Sequence, residues 1–235
     1  MILDNYWSDI DSRLEKLIKF GEVKLPTLKQ FGLDFFANDI SNEMGSLTFK
    51  ELTDNHNKFL NKIEINTYLI PKLFKIAQEV FDYKGELSNQ YHIARKVEPG
   101  NKKEMYRAHF DSHIFTIIFP LKIPTFIDEG HCGELIYFPN IRPNPKNELK
   151  NIIDKIYFKK YASKNGLEKL SENNQKKIEN FKDNQPLIIC GKQTLHTNYP
   201  VSANCSSFRL TLLAHLFDNS PKYSAGNIFR HFRNR

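Results

Sequence analysis

Tyr91-His92-Ile93-Ala94-Arg95-Lys96-Val97, closed by Glu98-Pro99-Gly100-Asn101, is the stretch from which the fold is read. A run rich in β-branched and aromatic residues, stopped by Pro, Gly and Asn, describes a strand and its exit turn. The same texture returns at Met105 to Phe110, Ile114 to Leu121, Glu134 to Phe138, Leu187 to Cys190, Thr194 to Val201 and Phe208 to Phe217. Short strands with turn signals, and without the alternating helices of a parallel sheet, predict a sandwich or barrel. Upstream the period changes. Ile2, Leu3, Tyr6, Trp7, Ile10, Leu14, Leu17 and Ile18 recur at three- and four-residue steps and predict a helix over 2–20. Leu73, Phe74, Ile76, Ala77, Val80 and Phe81 predict a second over 69–81, ending before Lys84-Gly85. One polar segment, 140–184, interrupts the strands with helical spacing at Ile152, Ile153, Ile156 and Tyr157. It is expected to be a helical insertion, and long insertions in compact domains commonly serve as lids.

A chain of 235 residues, 40% hydrophobic, can bury one sizeable core, so a single domain over 1–235 is expected. Within it, 1–88 would be helical support and 90–218 the strand-rich core. Lys and Arg outnumber Asp and Glu by 34 to 27, which favours acidic small molecules, nucleic acid or anionic surfaces. In the insertion alone eleven basic residues face six acidic ones, which points to an anionic substrate if it closes over a site. Cys132, Cys190 and Cys205 are odd in number and lack CxxC spacing, arguing against a disulfide framework or a structural zinc site. The N-terminus lacks the basic and apolar regions of a signal peptide, and no apolar run approaches the roughly 20 residues of a membrane span. A cytoplasmic protein with no membrane partner is expected.

Tyr106-Arg107-Ala108-His109-Phe110-Asp111 holds the only HxD of the chain. On a strand, residues i and i+2 point to one face about 6.6 Å apart, so His109 and Asp111 can converge on one ion. His196, in the later run Thr194-Leu195-His196-Thr197, can complete a two-histidine, one-carboxylate facial triad that leaves coordination positions open. Thirteen residues on, Arg209 stands in the apolar run Phe208-Arg209-Leu210-Thr211-Leu212-Leu213. A buried guanidinium is costly unless it meets an anion, and Thr211 shares its strand face to add a hydroxyl.

These four elements, in this order, resemble the Fe(II)/2-oxoglutarate-dependent dioxygenase superfamily over residues 90 to 218. The resemblance implies a double-stranded β-helix, or jelly-roll, core: a mainly β fold with flanking helices. It further implies Fe(II) on His109, Asp111 and His196, 2-oxoglutarate with its far carboxylate on Arg209, and ascorbate as a reductant. Tyr106, three positions before His109, and Gly133-Glu134-Leu135-Ile136-Tyr137-Phe138-Pro139 are similar to features of the prolyl-hydroxylase-like branch, with Cys132 in place of a first glycine and Arg209 in place of its usual lysine. Tyr106 is thereby a second co-substrate contact. The implied reaction is hydroxylation of a C–H bond in a small molecule, amino acid or peptide, with succinate and carbon dioxide as co-products. Asp111, a carboxylate where halogenating relatives carry a small residue, leaves no vacant place for chloride.

Other readings of the same residues are an oxidative nucleic-acid demethylase, with Tyr157, Phe158, Tyr161 and Phe181 as candidate base platforms, and a non-catalytic jelly-roll binding module. His113, four residues after His109, has the spacing of a helical zinc motif, but on a strand the two would stand about 13 Å apart. His92, His131, His215 and His231 are read as packed or surface histidines.

Overall fold

A computed structural model describes residues 2–51, 54–101, 105–125, 130–145 and 148–218. The chain begins with helices α1 (Ile2–Trp7) and α2 (Ile10–Phe20), strand β1 (Glu22–Lys24), helix α3 (Leu33–Met44) and strand β2 (Phe49–Glu51). Helices α4 (Asp54–Lys62), α5 (Ile65–Tyr68) and α6 (Ile70–Phe81) follow, then strands β3 (Gln90–Val97), β4 (His113–Lys122) and β5 (Leu135–Phe138). Helices α7 (Glu148–Phe158) and α8 (Lys164–Ser171) precede the last four strands, β6 (Lys177–Glu179), β7 (Leu187–Cys190), β8 (Leu195–Asn198) and β9 (Arg209–Asp218).

The strands form two antiparallel sheets, one of six in the order β1-β7-β4-β9-β3-β2 and one of three in the order β6-β5-β8. The fold is therefore mixed α/β with flanking helices, where a mainly β fold was expected. The excess helix comes from the N-terminal 88 residues and the insertion. Among the described residues no helix is long and apolar enough to cross a membrane.

The two faces of the large sheet have different tasks, and the period of two along each strand assigns them. On β9, Leu210, Leu212, Ala214 and Leu216 join the core built with the N-terminal helices. On β4, Phe115, Ile117 and Phe119 face the same way. Aromatic rings lock this layer edge to face: Phe59 against Phe119 at 5.6 Å, Phe81 against Phe115 at 5.4 Å and Phe74 against Phe217 at 5.4 Å. The alternate residues, Arg209, Thr211, Leu213 and His215, face a cavity shared with the small sheet. Ile118 and Leu187 of the large sheet meet Leu135 and Tyr137 of the small one beside that cavity.

Several expectations are corrected by the structure. The helix expected over 2–20 is two helices, because Ser8 turns its hydroxyl back onto the Asn5 carbonyl (2.9 Å) and α2 restarts at Ile10. The helix expected over 69–81 is present as α6 and stops at Asp82, which takes a left-handed conformation. No strand covers 105–110. Tyr106 adopts a positive φ of 54°, which breaks an extended run, and the segment pairs with β8 through the isolated bridge His109–His196 and a backbone bond from Tyr106 N–H to the Asn198 carbonyl (3.1 Å). Within 1–88, expected to be helical support, helices α3, α4 and α5 add to the helical cover while strands β1 and β2, not expected there, complete the edges of the large sheet.

Insertion 140–184 is helical in α7 and α8 but also supplies β6, an edge strand of the small sheet. Cys132 and Cys205 are free buried thiols with sulfurs 2.9 Å apart, a contact that spacing could not reveal. Of the four aromatic residues considered as base platforms, Phe158 packs on Phe110 and Phe181 is fully buried, while Tyr157 and Tyr161 enclose Lys160. His231 lies outside the described residues.

The insertion is fastened to the HxD segment by buried Arg142. Its guanidinium lies 3.8 Å from the Phe110 ring centroid and donates to the Lys192 carbonyl (2.7 Å), Asn151 Oδ1 (2.9 Å) and Asp154 Oδ2 (3.3 Å). Asp154 retains a second partner in Lys150 at 2.8 Å, which softens the loss of the first. Arg142→Met should therefore destabilise the protein by about 2–4 kcal/mol in urea unfolding; a change below about 0.5 kcal/mol would mean that the cluster does not hold the insertion.

Candidate metal centre

Backbone hydrogen bonds bring the two halves of the site together. His109 N–H donates to the His196 carbonyl and His196 N–H to the His109 carbonyl, both at 3.1 Å, so the HxD segment pairs with β8 at the two histidines. Asp111 N–H donates to the Gly191 carbonyl at 3.1 Å, which fixes the third residue beside the β7–β8 turn. Gly191 is required by close approach, since a Cβ there would stand 2.9 Å from Asp111 Cβ and 3.0 Å from Thr116 Oγ1.

Ligating atoms of His109, Asp111 and His196 all lie within 4.8 Å of one another. The Nε2 atoms of His109 and His196 are each 3.7 Å from Asp111, one from Oδ1 and the other from Oδ2. A triangle of this size suits one ion with bonds of about 2.0–2.2 Å. Both imidazoles have Nδ1 against a backbone carbonyl, His109 against Arg107 at 2.7 Å and His196 against Thr194 at 3.2 Å. A proton on Nδ1 satisfies those carbonyls and leaves the Nε2 lone pairs directed at the shared point, the arrangement that orients metal-binding histidines.

Electrostatics put His109 and Asp111 in their ligating forms. Desolvation within the site and the nearby His196 lower His109 to about 4, against a smaller upward pull from Asp111. For Asp111, desolvation pushes upward, but His196, His215, His109 and the Thr116 hydroxyl outweigh it and hold the carboxyl well below the usual range. Neutral imidazole and ionised carboxylate are what a divalent cation requires. Thr116 donates to Asp111 Oδ2 at 2.5 Å and lies 3.0 Å from His215 Nδ1. His215 in turn stacks with His113 at 5.1 Å and with Tyr91 at 6.1 Å.

The cavity above this group has a volume of about 580 Å³, within the usual range for small-molecule sites. Arg209 and Thr211 line it, both buried. Burial and the neighbouring Arg95 lower Arg209 to about 9, with Glu134 pulling the other way. No carboxylate of the described residues lies within ion-pair distance of Arg209; its guanidinium carbon sits 5.8 Å from the Phe181 ring centroid. Gly133, at φ 80°, makes room for it, because a Cβ there would fall 2.9 Å from Arg209 Cδ.

Tyr106 is placed apart from this set. It packs edge-on against Tyr199 and is not among the residues that line the cavity. The left-handed turn at Tyr106 carries its ring to the outer cluster. His113 is also outside the triad and lies in the wall with His215. Thr116, His215, Asn198, Tyr91 and Arg95 line the cavity without having been singled out in the sequence. His215 and Asn198 carried a usable signal, since they continue the period-two series 209-211-213-215 and 196-198 on strands already marked by Arg209 and His196.

Comparison with family models and with curated proteins finds no match to this chain. Among solved structures, a prolyl 4-hydroxylase from Phytophthora capsici superposes with a TM-score of 0.57 at 13% identity, covering 98% of this chain and 72% of that one. A Pseudomonas putida prolyl-4-hydroxylase gives 0.52 at 11% identity over 93% and 95% of the two chains. The epimerase SnoN from nogalamycin biosynthesis, in a complex with Fe3+ and alpha ketoglutarate, gives 0.53 at 10% identity over 93% and 89%. At these identities the likeness establishes a shared fold.

Thr116 is the residue whose loss should separate ligand orientation from ligand identity. Thr116→Val keeps the shape but removes the hydrogen bond to Asp111, and should weaken Mn(II) binding about 10- to 100-fold with the fold intact. Unchanged affinity in a metal titration would show that Asp111 needs no such support.

Proposed function

We propose that this protein is an Fe(II)- and 2-oxoglutarate-dependent oxygenase that hydroxylates a C–H bond of a small molecule or an amino-acid side chain. The observation that carries the proposal is the convergence of His109, Asp111 and His196, with each imidazole turned by a backbone carbonyl to offer Nε2. Two imidazole nitrogens and one carboxylate on one side of an ion, facing an open cavity, suit ferrous iron with exchangeable positions. The double-stranded β-helix reading of the two sheets and the likeness to iron- and alpha-ketoglutarate-bound SnoN support it as well.

In this reading His109, Asp111 and His196 hold Fe(II), and Arg209 with Thr211 receives the far carboxylate of 2-oxoglutarate. Bound iron supplies dioxygen activation, with one oxygen atom passing to the substrate and the other to succinate as 2-oxoglutarate loses carbon dioxide. The protein's own part is orientation and exclusion of water. Thr116 fixes the Asp111 carboxylate, and Gly133 leaves the space that the Arg209 side chain needs. The apolar wall of Ile93, Ile118, Leu135 and Leu213 keeps the approach to the ligands dry. Chain 1–235 acts as one domain, and insertion 140–184 serves as the lid: Lys159 and Ala162 already line the cavity, and Lys155 reaches Ser112 Oγ at 3.5 Å.

A buried guanidinium–carboxylate pair accounts for Arg209 better than packing does, since its loss leaves one carboxylate unmatched. Arg209→Leu should raise the 2-oxoglutarate concentration needed for half-maximal succinate formation by about 100-fold, while Mn(II) affinity stays within about threefold of the unaltered chain. An unchanged requirement would remove Arg209 from the co-substrate site. Absence of Fe(II)-dependent succinate formation across a metabolite library, in the intact chain, would remove the oxygenase reading itself.

A further inference from the structure

The fold brings two of the three cysteines together, and the proposed oxygenase chemistry uses neither. Cys132 and Cys205 are 73 residues apart in the chain, yet their sulfurs stand 2.9 Å apart. Both are free thiols, buried in a small apolar cluster with Val97 and Val201. Cys190 is separate from them, on β7 in the core built with the N-terminal helices.

The backbone around the pair is already joined. Cys132 and Val201 form an isolated antiparallel bridge, Gly133 N–H donates to the Pro200 carbonyl at 3.0 Å, and Ser202 N–H donates to the His131 carbonyl at 2.9 Å. Cys205 N–H then closes a turn onto the Ser202 carbonyl at 3.1 Å. With both segments held in this way, side-chain rotation is enough to bring the sulfurs to a bonding distance of about 2.05 Å.

Hydrogen bonding makes the two thiols unequal. Cys205 Sγ–H donates to the His131 carbonyl at 3.2 Å, so the contact between the sulfurs is a donation from Cys132 to Cys205. Burial, and then Cys205, push the Cys132 thiol up to about 12. The Cys205 sulfur, as the acceptor, is the better placed to carry negative charge, and its turn is flanked by the exposed residues Ala203, Asn204 and Ser206.

From this arrangement we infer that Cys132 and Cys205 are a modification site, a dithiol that a low-molecular-weight disulfide oxidises to one intrachain bond while Cys190 stays reduced. The Cys205 thiolate attacks one sulfur of the oxidant and expels the first small thiol. The Cys132 thiolate then attacks Cys205 Sγ in the mixed disulfide and expels the second. Two protein thiols become one S–S bond, the S–S bond of the oxidant becomes two thiols, and the two protons leave with them. The new bond fastens both sides of the space that holds Arg209: Gly133, whose missing Cβ makes room for Arg209 Cδ, follows Cys132 directly, and Cys205 precedes Arg209 by four residues. The inference does not depend on the oxygenase reading.

The test exposes the folded full chain, reduced and then freed of reductant, to excess oxidised glutathione, and follows this with unfolding and alkylation by iodoacetamide. Before alkylation the chain should be about 2 Da lighter. It should then take one alkyl group where the reduced chain takes three, and yield a cross-linked Cys132–Cys205 peptide with the alkyl group on Cys190. The melting temperature should rise by about 5 °C, because the bond closes a long loop. Cys132→Ser should retain one glutathione on Cys205, and Cys205→Ser none on Cys132. Three alkyl groups after oxidation, a bond that includes Cys190, glutathione retained on the unaltered chain, an unchanged melting temperature, or glutathione on Cys132 in the second variant would each overturn the inference. Should either variant fail to fold, the peptide map and melting curve of the unaltered chain still decide.

Discussion

The reciprocal backbone hydrogen bonds between His109 and His196 are the constraint from which the site follows. Eighty-six residues separate the two histidines, and the segment bearing His109 is not a strand of either sheet. Pairing at one point holds both imidazoles at a ring separation of 4.5 Å, and the Asp111–Gly191 bond brings the carboxylate to the same place. A bridge within a longer ladder would do this with less room for adjustment. An isolated bridge, with one further backbone bond from the left-handed Tyr106 to Asn198, is less than a full ladder, and Arg142, stacked on Phe110, adds support from behind.

The second determinant is the division of labour across β9. Every even-numbered residue from Leu210 to Leu216 is apolar and buried against the helical layer, while the odd-numbered positions Arg209, Thr211, Leu213 and His215 face the cavity. A strand covered on both sides reads as nearly continuous hydrophobicity, and the polar residues within it are conspicuous because burial makes each one costly. The helical layer therefore does more than stabilise. By shielding the outer face it leaves the inner face to carry polar groups.

How far the sequence revealed this depended on whether a residue's role was local or tertiary. His109, Asp111, His196 and Arg209 were legible because strand spacing and a misplaced charge are local signals, and the structure brings the three candidate ligands together with Arg209 in the adjoining cavity. The strands from β3 onward were legible for the same reason, apart from the short β6. Arg95 was hidden, because a basic residue in a half-exposed strand is unremarkable until Asn198 and Phe49 arrive from other parts of the chain. Thr116 was hidden by its small, ordinary character, and its importance arises from contact with Asp111; His215 lay on the period-two series of Arg209 and was legible only through it. For Tyr106 the strand expected over 105–110 did not form, because its backbone takes a positive φ.

The same electrostatic logic joins the metal ligands to the buried arginine of the cavity wall. A neutral His109 and an ionised Asp111 prepare the triad for a cation, and Arg209 in the adjoining cavity offers a place for an anion to accompany it. A crystal structure of the full chain grown with Mn(II) and 2-oxoglutarate under anaerobic conditions tests this most directly. The account predicts one ion bonded to Nε2 of His109, Nε2 of His196 and a carboxylate oxygen of Asp111, with the far carboxylate of 2-oxoglutarate on Arg209. An ion bound elsewhere, or a 2-oxoglutarate that leaves Arg209 without a carboxylate partner, would contradict it.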